Sequence, residues 1–341
     1  MRVGTFWVYD QLASYMDQDA SNLSQVQDEI SSGKKFTKTS DDVVGAMTAM
    51  DYNLELNQDS RYKTGIDNAN ALLGDAAAPM QSTVDALDQA KELALQGASG
   101  TTGSEDMAAL AQQAYAIRDE LLGYANTKTS GGESVFAGFQ TQSDAFNSST
   151  YAYQGDANII NAQVSNSRKV AVNVPGGTAF SFSMGNSTTT ESDGTAVSYS
   201  SSTNTDGTTT VTVQLSGGGG SNETFSFQNY MQLANELGDA LSAGDTRKVE
   251  ALMTPLDDAY NQAVSVSADI GARQNTLTAQ ESENESDQTN AQTLLSDTQD
   301  TDMADAATKL EEYQTILQAI SQSTANMVPQ SLFNFLGSSG A

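Results

Sequence analysis

Clustered carboxylates are the groups in this sequence whose type and spacing could support chemistry. Acidic residues stand close together at Asp41 and Asp42, within 281–285, and within 297–305. Paired carboxylates can hold a divalent cation or act as general acid and base. None of the three groups has the glycine-interrupted spacing of an EF-hand loop, and helix residues two apart point to different faces. We therefore predict that these acids cap helices or lie on solvated faces, with no metal or cofactor bound.

The composition excludes several classes of function. The chain has no Cys and no His, which rules out disulfides, thiol catalysis, zinc sites of the usual kind and imidazole acid–base chemistry. Its 43 acidic and 15 basic residues give a net charge of −28, so we expect neither nucleic acid nor an anionic membrane as a partner. Residues 217–220 are a glycine run without the Lys-Ser/Thr of a phosphate loop, and they indicate a flexible hairpin or linker.

One enzymatic alternative remains open from the residues, a carboxylate-dependent hydrolase carried on helical stalks. It would need two acids that converge in a cleft of the central segment. The candidates all lie in turn-like sequence: Asp144, Asp156, Glu191, Asp193 and Asp206. We therefore predict that the protein is not an enzyme.

The first residues do not resemble a secretory signal peptide. Phe6, Trp7 and Val8 are followed closely by Asp10, and no segment approaches the ~20 apolar residues of a membrane span. We expect a soluble protein that leaves the cell, if it does, without a cleavable signal.

Coiled-coil spacing at both ends of the chain is the strongest pattern. Residues 8–31 are predicted to form one helix that ends at Gly33. In both terminal segments, the spacing between successive seam residues alternates between three and four. The N-terminal seam is Tyr9, Leu12, Met16, Asp19, Leu23, Val26 and Ile30. The C-terminal seam is Met303, Ala306, Leu310, Tyr313, Leu317, Ile320, Thr324 and Met327.

A seam of this kind is stable only against another helix. It could be the core-facing side of an ordinary bundle helix. Here it occurs at both ends, and the polar stretches 34–39 and 281–292 separate each seam from the interior of the chain. This arrangement favours terminal segments that dock with each other and with partners, and that are marginal helices on their own.

The interior combines helices with short strands. Helices are predicted from Ser40 to about Leu73, over 84–97 and over 107–121, with interruptions at Gly74 and Pro79. Helices resume over 229–243 and again at Thr254-Pro255, which reads as a helix start. Strand-like segments lie at 151–153, 158–160, 169–174, 179–184 and 208–215.

These elements predict an α+β fold with a nested architecture. A terminal coiled-coil segment comprises 1–40 plus 301–341, and a helical bundle comprises 41–135 plus 227–300. A small β domain is inserted at 136–226.

Several motifs next to the seams resemble the flagellin superfamily. Residues 30–35 (Ile-Ser-Ser-Gly-Lys-Lys) followed by 40–42 (Ser-Asp-Asp) look like its N-terminal signature. Residues 268–275, 300–304 and 331–336 are similar to its C-terminal helical segments. Asn334 stands where the family often has Asp, and Pro329 is expected to break the last helix early.

Central motifs resemble the hook–filament junction branch of that superfamily. Residues 136–141 (Phe-Ala-Gly-Phe-Gln-Thr) followed by Phe146 are similar to one junction motif. Residues 153–156 (Tyr-Gln-Gly-Asp), then Arg168 and the strand at 170–174, look like another.

The resemblance implies a structural subunit of the bacterial flagellum that is exported unfolded and acts as the adaptor between hook and filament. Its implied partners are the first hook-associated protein, flagellin or the cap, further copies of itself in a ring, and an export chaperone at the C-terminus. The alternative is filament flagellin, a subunit that polymerises by itself. The expected assembly residues are Leu12, Met16, Leu23, Val26, Ile30, Leu310, Tyr313, Leu317, Ile320, Met327, Leu332, Phe333 and Leu336.

Overall fold

A computed structural model describes residues 3–99, 103–190, 194–204, 208–217 and 222–337 of the chain. It confirms the predicted α+β class: along the chain, long helices precede and follow a small central β region. The helices are α1 (Val3–Ser32), α2 (Val43–Ala98), α3 (Ser104–Ala125), α4 (Gly176–Ala179), α5 (Tyr230–Ala243), α6 (Thr246–Gln299) and α7 (Met303–Gly337). The strands are β1 (Asn161–Gln163), β2 (Lys169–Ala171), β3 (Ser187–Thr190), β4 (Thr195–Thr203), β5 (Thr209–Gly217) and β6 (Glu223–Phe227).

The chain divides into two compact units that share α2 and α6. One unit contains 1–59 and 285–341, and the other contains 60–284. We call them the terminal unit and the central unit. The three-part division into 1–40 plus 301–341, 41–135 plus 227–300, and 136–226 stays a prediction of domain organisation.

Local sequence signals set several helix ends. Gly33 adopts a left-handed backbone at φ 71°, and its N–H bonds to the Glu29 carbonyl at 2.8 Å, which closes α1 as its position predicts. The Asp42 side chain accepts from the Gly45 N–H at 2.9 Å and caps the start of α2. Asn229 caps α5 in the same way through the Gln232 N–H at 3.0 Å.

The helix interruptions predicted at prolines are wrong. α2 runs unbroken through Gly74 and Pro79, α6 begins at Thr246 and contains Pro255, and α7 continues past Pro329. Each proline removes one backbone hydrogen bond. Burial outweighs that cost at the two interior sites, because residues around both prolines, such as Met80 and Leu256, are fully buried.

The polar stretch 281–292 also does not separate a terminal segment, because it lies inside α6. The helix instead ends at Gln299, and α7 begins at Met303 after a three-residue connection. The stretch contains neither Gly nor Pro, the two residues that disfavour a helix interior most strongly.

The strand predictions are correct in part. Segment 169–174 contains β2 and segment 208–215 overlaps β5, whereas 151–153, 158–160 and 179–184 form no strand. The sequence also missed β3 and β4 in the Ser/Thr-rich stretch. β3, β4, β5 and β6 form a consecutive antiparallel sheet, and β1 pairs with β2.

One continuous apolar core joins helices and sheet in the central unit. Val197 and Val213 of the sheet belong to the same buried cluster as Leu237 and Leu252 of the helices. Period-two burial along β4 and β5 turns one sheet face towards this core. Aromatic rings extend the core, with Phe136 and Phe180 in edge contact at 4.9 Å between centroids.

Among the described residues, no helix has the length and apolar content needed to cross a membrane.

Gly138 fixes the turn of the 136–141 motif. Its φ is 68°, and a Cβ at this position would collide with the backbone carbonyl of Asp156. We expect Gly138→Ala to lower the free energy of unfolding by ~1–3 kcal/mol, because it adds left-handed strain to a steric conflict. Urea denaturation followed by circular dichroism measures the change.

Gly74→Ala is the matched control for that experiment. Gly74 lies within α2, and a Cβ there would meet nothing within 4 Å. The substitution should raise the free energy of unfolding by ~0.5–1 kcal/mol, the usual gain of Ala over Gly in a helix. Equal effects of the two substitutions would contradict the role of Gly138.

Candidate assembly surface

The two terminal helices pack against each other in the terminal unit. Contacts join α1 and α7, as the paired seams predict. On α1, Leu12, Met16, Leu23 and Ile30 are half-buried and Val26 is 5% exposed. The intervening polar residues are mostly exposed, so one face of α1 makes the contact.

The C-terminal seam shows the same pattern on α7. Ala306 is 2% exposed, and Leu310, Tyr313, Leu317 and Ile320 are half-buried. The remaining expected assembly residues, Met327, Leu332, Phe333 and Leu336, lie in α7, and their side chains are outside the described part of the structure. Both seams therefore retain accessible apolar surface after α1 and α7 have packed together.

Polar residues interrupt the seams as the sequence indicates. Asp19 occupies a half-buried seam position on α1, and Thr324 does so on α7. The Thr324 hydroxyl donates to the Ile320 carbonyl at 2.8 Å, which satisfies it within its own helix.

Backbone hydrogen bonds fasten the two connections next to the seams. The Lys35 N–H donates to the Gln299 carbonyl at 2.7 Å, and the Thr301 N–H donates to the Gly33 carbonyl at 2.9 Å. The Lys35 ammonium also donates to the Asp297 carbonyl at 2.8 Å. The α1–α2 connection is thus held on the α6–α7 connection, which fixes where both terminal helices begin.

Charge supports the pairing of α1 with α7. The ammonium of Lys309 lies 2.7 Å from a carboxylate oxygen of Asp305, one turn away on α7. The hydrogen bond and charge of Asp305 raise the pKa of Lys309, and the charge of Glu29 on α1 raises it further. These ions are exposed, so their contribution to stability is small.

The acids of these clusters cap helices or form ion pairs that are exposed or half-buried. Asp302 accepts from the Ala304 N–H at 2.9 Å at the start of α7, and Asp42 caps α2. Glu281 lies 3.1 Å from the Lys63 ammonium. Within the ranges that the structure describes, no group of three or more acidic side chains is placed to hold a metal ion.

The carboxylates considered for hydrolysis are held by separate partners. Asp144 lies 2.9 Å from the Lys128 ammonium. Asp156 accepts from the N–H groups of Phe139 and Asn158, at 3.0 Å each, and the bond from Phe139 is the main cause that lowers the pKa of Asp156. A carboxyl stabilised in its ionised form is a poor general acid. Glu191, Asp193 and Asp206 lie outside the described residues.

The sequence did not single out Asp59, a buried acid on α2 in the terminal unit. It is 8% exposed, and its Oδ2 has no hydrogen-bond partner among the described residues. Burial raises the pKa of Asp59, and the charges of Glu55 and Asp287 raise it further. The helical spacing of Asp59 from Tyr52 and Leu56 indicates that it lies on the inner face of α2. The sequence analysis did not predict this, because an Asp rarely lies on the buried face of a helix.

Ionised Asp59 should destabilise the terminal unit at neutral pH. Because the pKa of Asp59 is higher in the folded than in the unfolded chain, this penalty is present above the folded pKa and disappears as the pH falls to the unfolded value. We expect Asp59→Asn to raise the melting temperature at pH 7, and the gain to shrink towards pH 4. Each unit of pKa difference corresponds to ~1.4 kcal/mol.

Asp51→Asn provides the control for this measurement by thermal unfolding. Asp51 lies on the same helix and is exposed, so its substitution should leave the melting temperature within experimental error. A melting temperature of Asp59→Asn equal to that of the wild type at pH 7 would show that the carboxyl carries no penalty.

Family models match both terminal parts of the chain. The model of the bacterial flagellin N-terminal helical region matches residues 3–141. The model of the bacterial flagellin C-terminal helical region matches residues 253–336. Together the two regions cover more than half of the chain, including α1, α3 and all described residues of α7 up to residue 336.

Curated relatives fall into two groups. Flagellar hook-associated protein 3 of Salmonella typhimurium is 26% identical over 181 residues, which is 53% of this chain and 57% of the relative. The protein of the same name from Escherichia coli is 27% identical over 180 residues, with the same coverage. Flagellin D of Vibrio anguillarum is 31% identical over 129 residues, 36% of this chain and 33% of the relative. The chain thus spans somewhat over half the length of the first two relatives.

Solved structures show the same fold. Flagellar hook-associated protein 3 from Legionella pneumophila aligns with a TM-score of 0.57 at 21% identity, over 72% of this chain and 97% of that one. A putative flagellar hook-associated protein from Vibrio parahaemolyticus aligns with a TM-score of 0.58 at 16% identity, over 76% and 100%.

Proposed function

The chain belongs to the flagellin superfamily, and on that premise we propose that it is a structural subunit of the bacterial flagellum, the adaptor between hook and filament. The observation that carries the proposal is the pairing of α1 with α7 along two seams that stay half-buried. Apolar seams that one partner helix covers only in part are suited to further helices from neighbouring subunits.

The length of the similarity supports the junction role over filament flagellin. The match to flagellar hook-associated protein 3 of Salmonella typhimurium extends over 57% of that protein, whereas the match to flagellin D extends over 33% of its relative. The motifs at 136–141 and 153–156 support the same choice. Filament flagellin is the second candidate, because both matching family models describe the terminal helical regions of bacterial flagellin.

In this proposal the seam residues form the contacts of the assembly. Copies of the chain form a ring through α1 and α7. The ring joins the first hook-associated protein on one side to flagellin or the cap on the other. Before assembly, an export chaperone covers the C-terminal seam, and the chain leaves the cell through the flagellar export channel. The role involves no catalysis, cofactor, nucleic acid or membrane.

Immunogold labelling of isolated flagella tests this function. Antibodies raised against the purified chain should label one narrow zone at the boundary between hook and filament. Labelling along the whole filament would contradict the junction role and identify the chain as filament flagellin. Flagella from a strain that lacks the gene are the control for antibody specificity.

A further inference from the structure

A polar cavity of about 340 Å³ lies in the central unit, where the sheet, the start of α5 and the loop 147–151 meet. β5 contributes Thr210 to its wall, β6 contributes Ser226, and the loop contributes Tyr151. Small-molecule sites usually have volumes of ~300–1,000 Å³, so the cavity is large enough for a small organic ligand. None of the residues that line it belongs to the seams of α1 and α7.

The cavity is almost free of charge, although the chain as a whole is strongly acidic. Six of the seven lining side chains are uncharged, namely three amides, two hydroxyls and one tyrosine. The exception is Glu236, whose carboxylate lies 2.7 Å from the ammonium of Lys248. The net charge of the chain is −28. A ligand without net charge fits this wall best, because the wall holds no unpaired charge to match an ion and the surrounding protein repels anions.

Hydrogen bonds hold the amide side chains of the wall in place. The Gln228 N–H donates to the Gln232 side-chain oxygen at 2.7 Å, and the Gln228 amide donates to the Thr210 hydroxyl at 3.2 Å. The Arg118 guanidinium donates to the Asn235 side-chain oxygen at 2.9 Å. Side chains that are already oriented lose little conformational entropy when a ligand binds.

The tyrosine of the wall has an unusual backbone conformation. Tyr151 is the one non-glycine residue with a positive φ, 58°, in the described part of the chain. The Asn229 side chain donates to its carbonyl at 2.7 Å, and the Arg118 guanidinium carbon lies 5.6 Å from the centroid of its ring. A bulky residue keeps this conformation only where its surroundings hold it, and such residues concentrate at ligand sites.

Several polar groups of the wall are left over after folding. The hydroxyls of Tyr151 and Ser226 and the side-chain oxygen of Gln228 make no hydrogen bond to a described residue. The Thr210 hydroxyl accepts from Gln228 and from Asn204, at 3.2 and 3.0 Å, so its hydrogen is left to donate. The wall therefore offers donors and acceptors side by side, which suits a ligand whose own groups are both, as alcohol hydroxyls are.

We propose that this cavity binds a neutral hexopyranose. The hydroxyls of the sugar exchange hydrogen bonds with Thr210, Ser226 and Gln228, and the C–H face of the ring lies against Tyr151. The absence of unpaired charge in the wall selects the neutral sugar over an acidic one. This binding goes beyond the proposed structural role and does not depend on it.

Saturation-transfer NMR on the purified full-length chain tests the site. The probes are the methyl glycosides of glucose, galactose and mannose, with glucuronic acid as a charged analogue and glycerol as a small polyol. We expect transfer to the ring protons of at least one methyl glycoside, weaker transfer to glucuronic acid, and none to glycerol. No transfer to any of the three glycosides would overturn the proposal, as would equal transfer to glycerol or to glucuronic acid.

Two hydroxyl deletions place the binding in this cavity. Tyr151→Phe with Ser226→Ala should lower the association constant about tenfold or more by titration calorimetry, because two hydrogen bonds to the sugar are lost. The melting temperature should not change, since neither hydroxyl bonds to a described residue. Tyr124→Phe with Ser167→Ala removes a half-buried and an exposed hydroxyl outside the cavity and should bind as the wild type does. Wild-type affinity of the Tyr151→Phe, Ser226→Ala chain would overturn the inference and leave the proposed function untouched.

Discussion

Leu317→Asp combined with Ile320→Asp should abolish incorporation at the hook tip. Both side chains are half-buried on the α7 face that contacts α1. Full burial of such a side chain stabilises a contact by ~1.5–3 kcal/mol, and a carboxylate at the same position must also lose water. We expect a non-motile strain and no labelled zone at the hook–filament boundary, measured by swimming assays and electron microscopy.

The control for this experiment adds the same charge to the exposed face of the same helix. Gln318→Asp with Ala319→Asp changes two exposed residues and should leave motility unchanged. The central unit should unfold at the wild-type temperature in both variants, because neither change touches its core. Normal motility of the Leu317→Asp, Ile320→Asp strain would contradict assembly through the seam.

Deletion of residues 1–30 and 304–341 should leave a folded monomer that cannot assemble. The large apolar core lies entirely between Ile66 and Leu277, so the deletion removes none of its buried side chains. We expect one cooperative unfolding transition and a monomer by sedimentation, together with complete loss of incorporation into flagella. Loss of the cooperative transition would show that the central unit depends on the terminal helices.

Local signals made much of the terminal unit predictable. Gly33 sets the end of α1, and Asp42 starts α2. The seam spacing matches the positions of α1 and α7 that lose accessibility from Leu12 to Ile30 and from Ala306 to Thr324, whereas Met303 at the start of the C-terminal seam is 50% exposed. These features depend on a few neighbouring residues, and so the sequence alone is enough to place them.

Other features depend on tertiary contacts that the sequence does not display. Pro79 and Pro255 are helical because buried neighbours hold the chain on both sides. The strand β4 lies in a Ser/Thr-rich segment of low hydropathy, and its place in the sheet comes from pairing with β5. Period-two burial places Val197 and Tyr199 in the core, a signal that the surrounding serines hide.

The exposed apolar residues of α2 and the buried Asp59 were missed for different reasons. The spacing of Met47, Met50 and Leu54 was present in the sequence, but it resembles the core-facing side of any bundle helix until the structure shows it exposed. Asp59 interrupts the buried face of α2, and a charged residue in that position gives no apolar periodicity to recognise.

The phenotype of a strain that lacks this gene tests the central claim most directly. A junction adaptor is needed to attach filament subunits but not to make or export them. We therefore expect complete hooks without filaments and flagellin monomers in the growth medium, measured by electron microscopy and by immunoblotting of the culture supernatant. Filaments of normal number attached to their hooks would contradict the account, as would bare hooks with no flagellin in the medium.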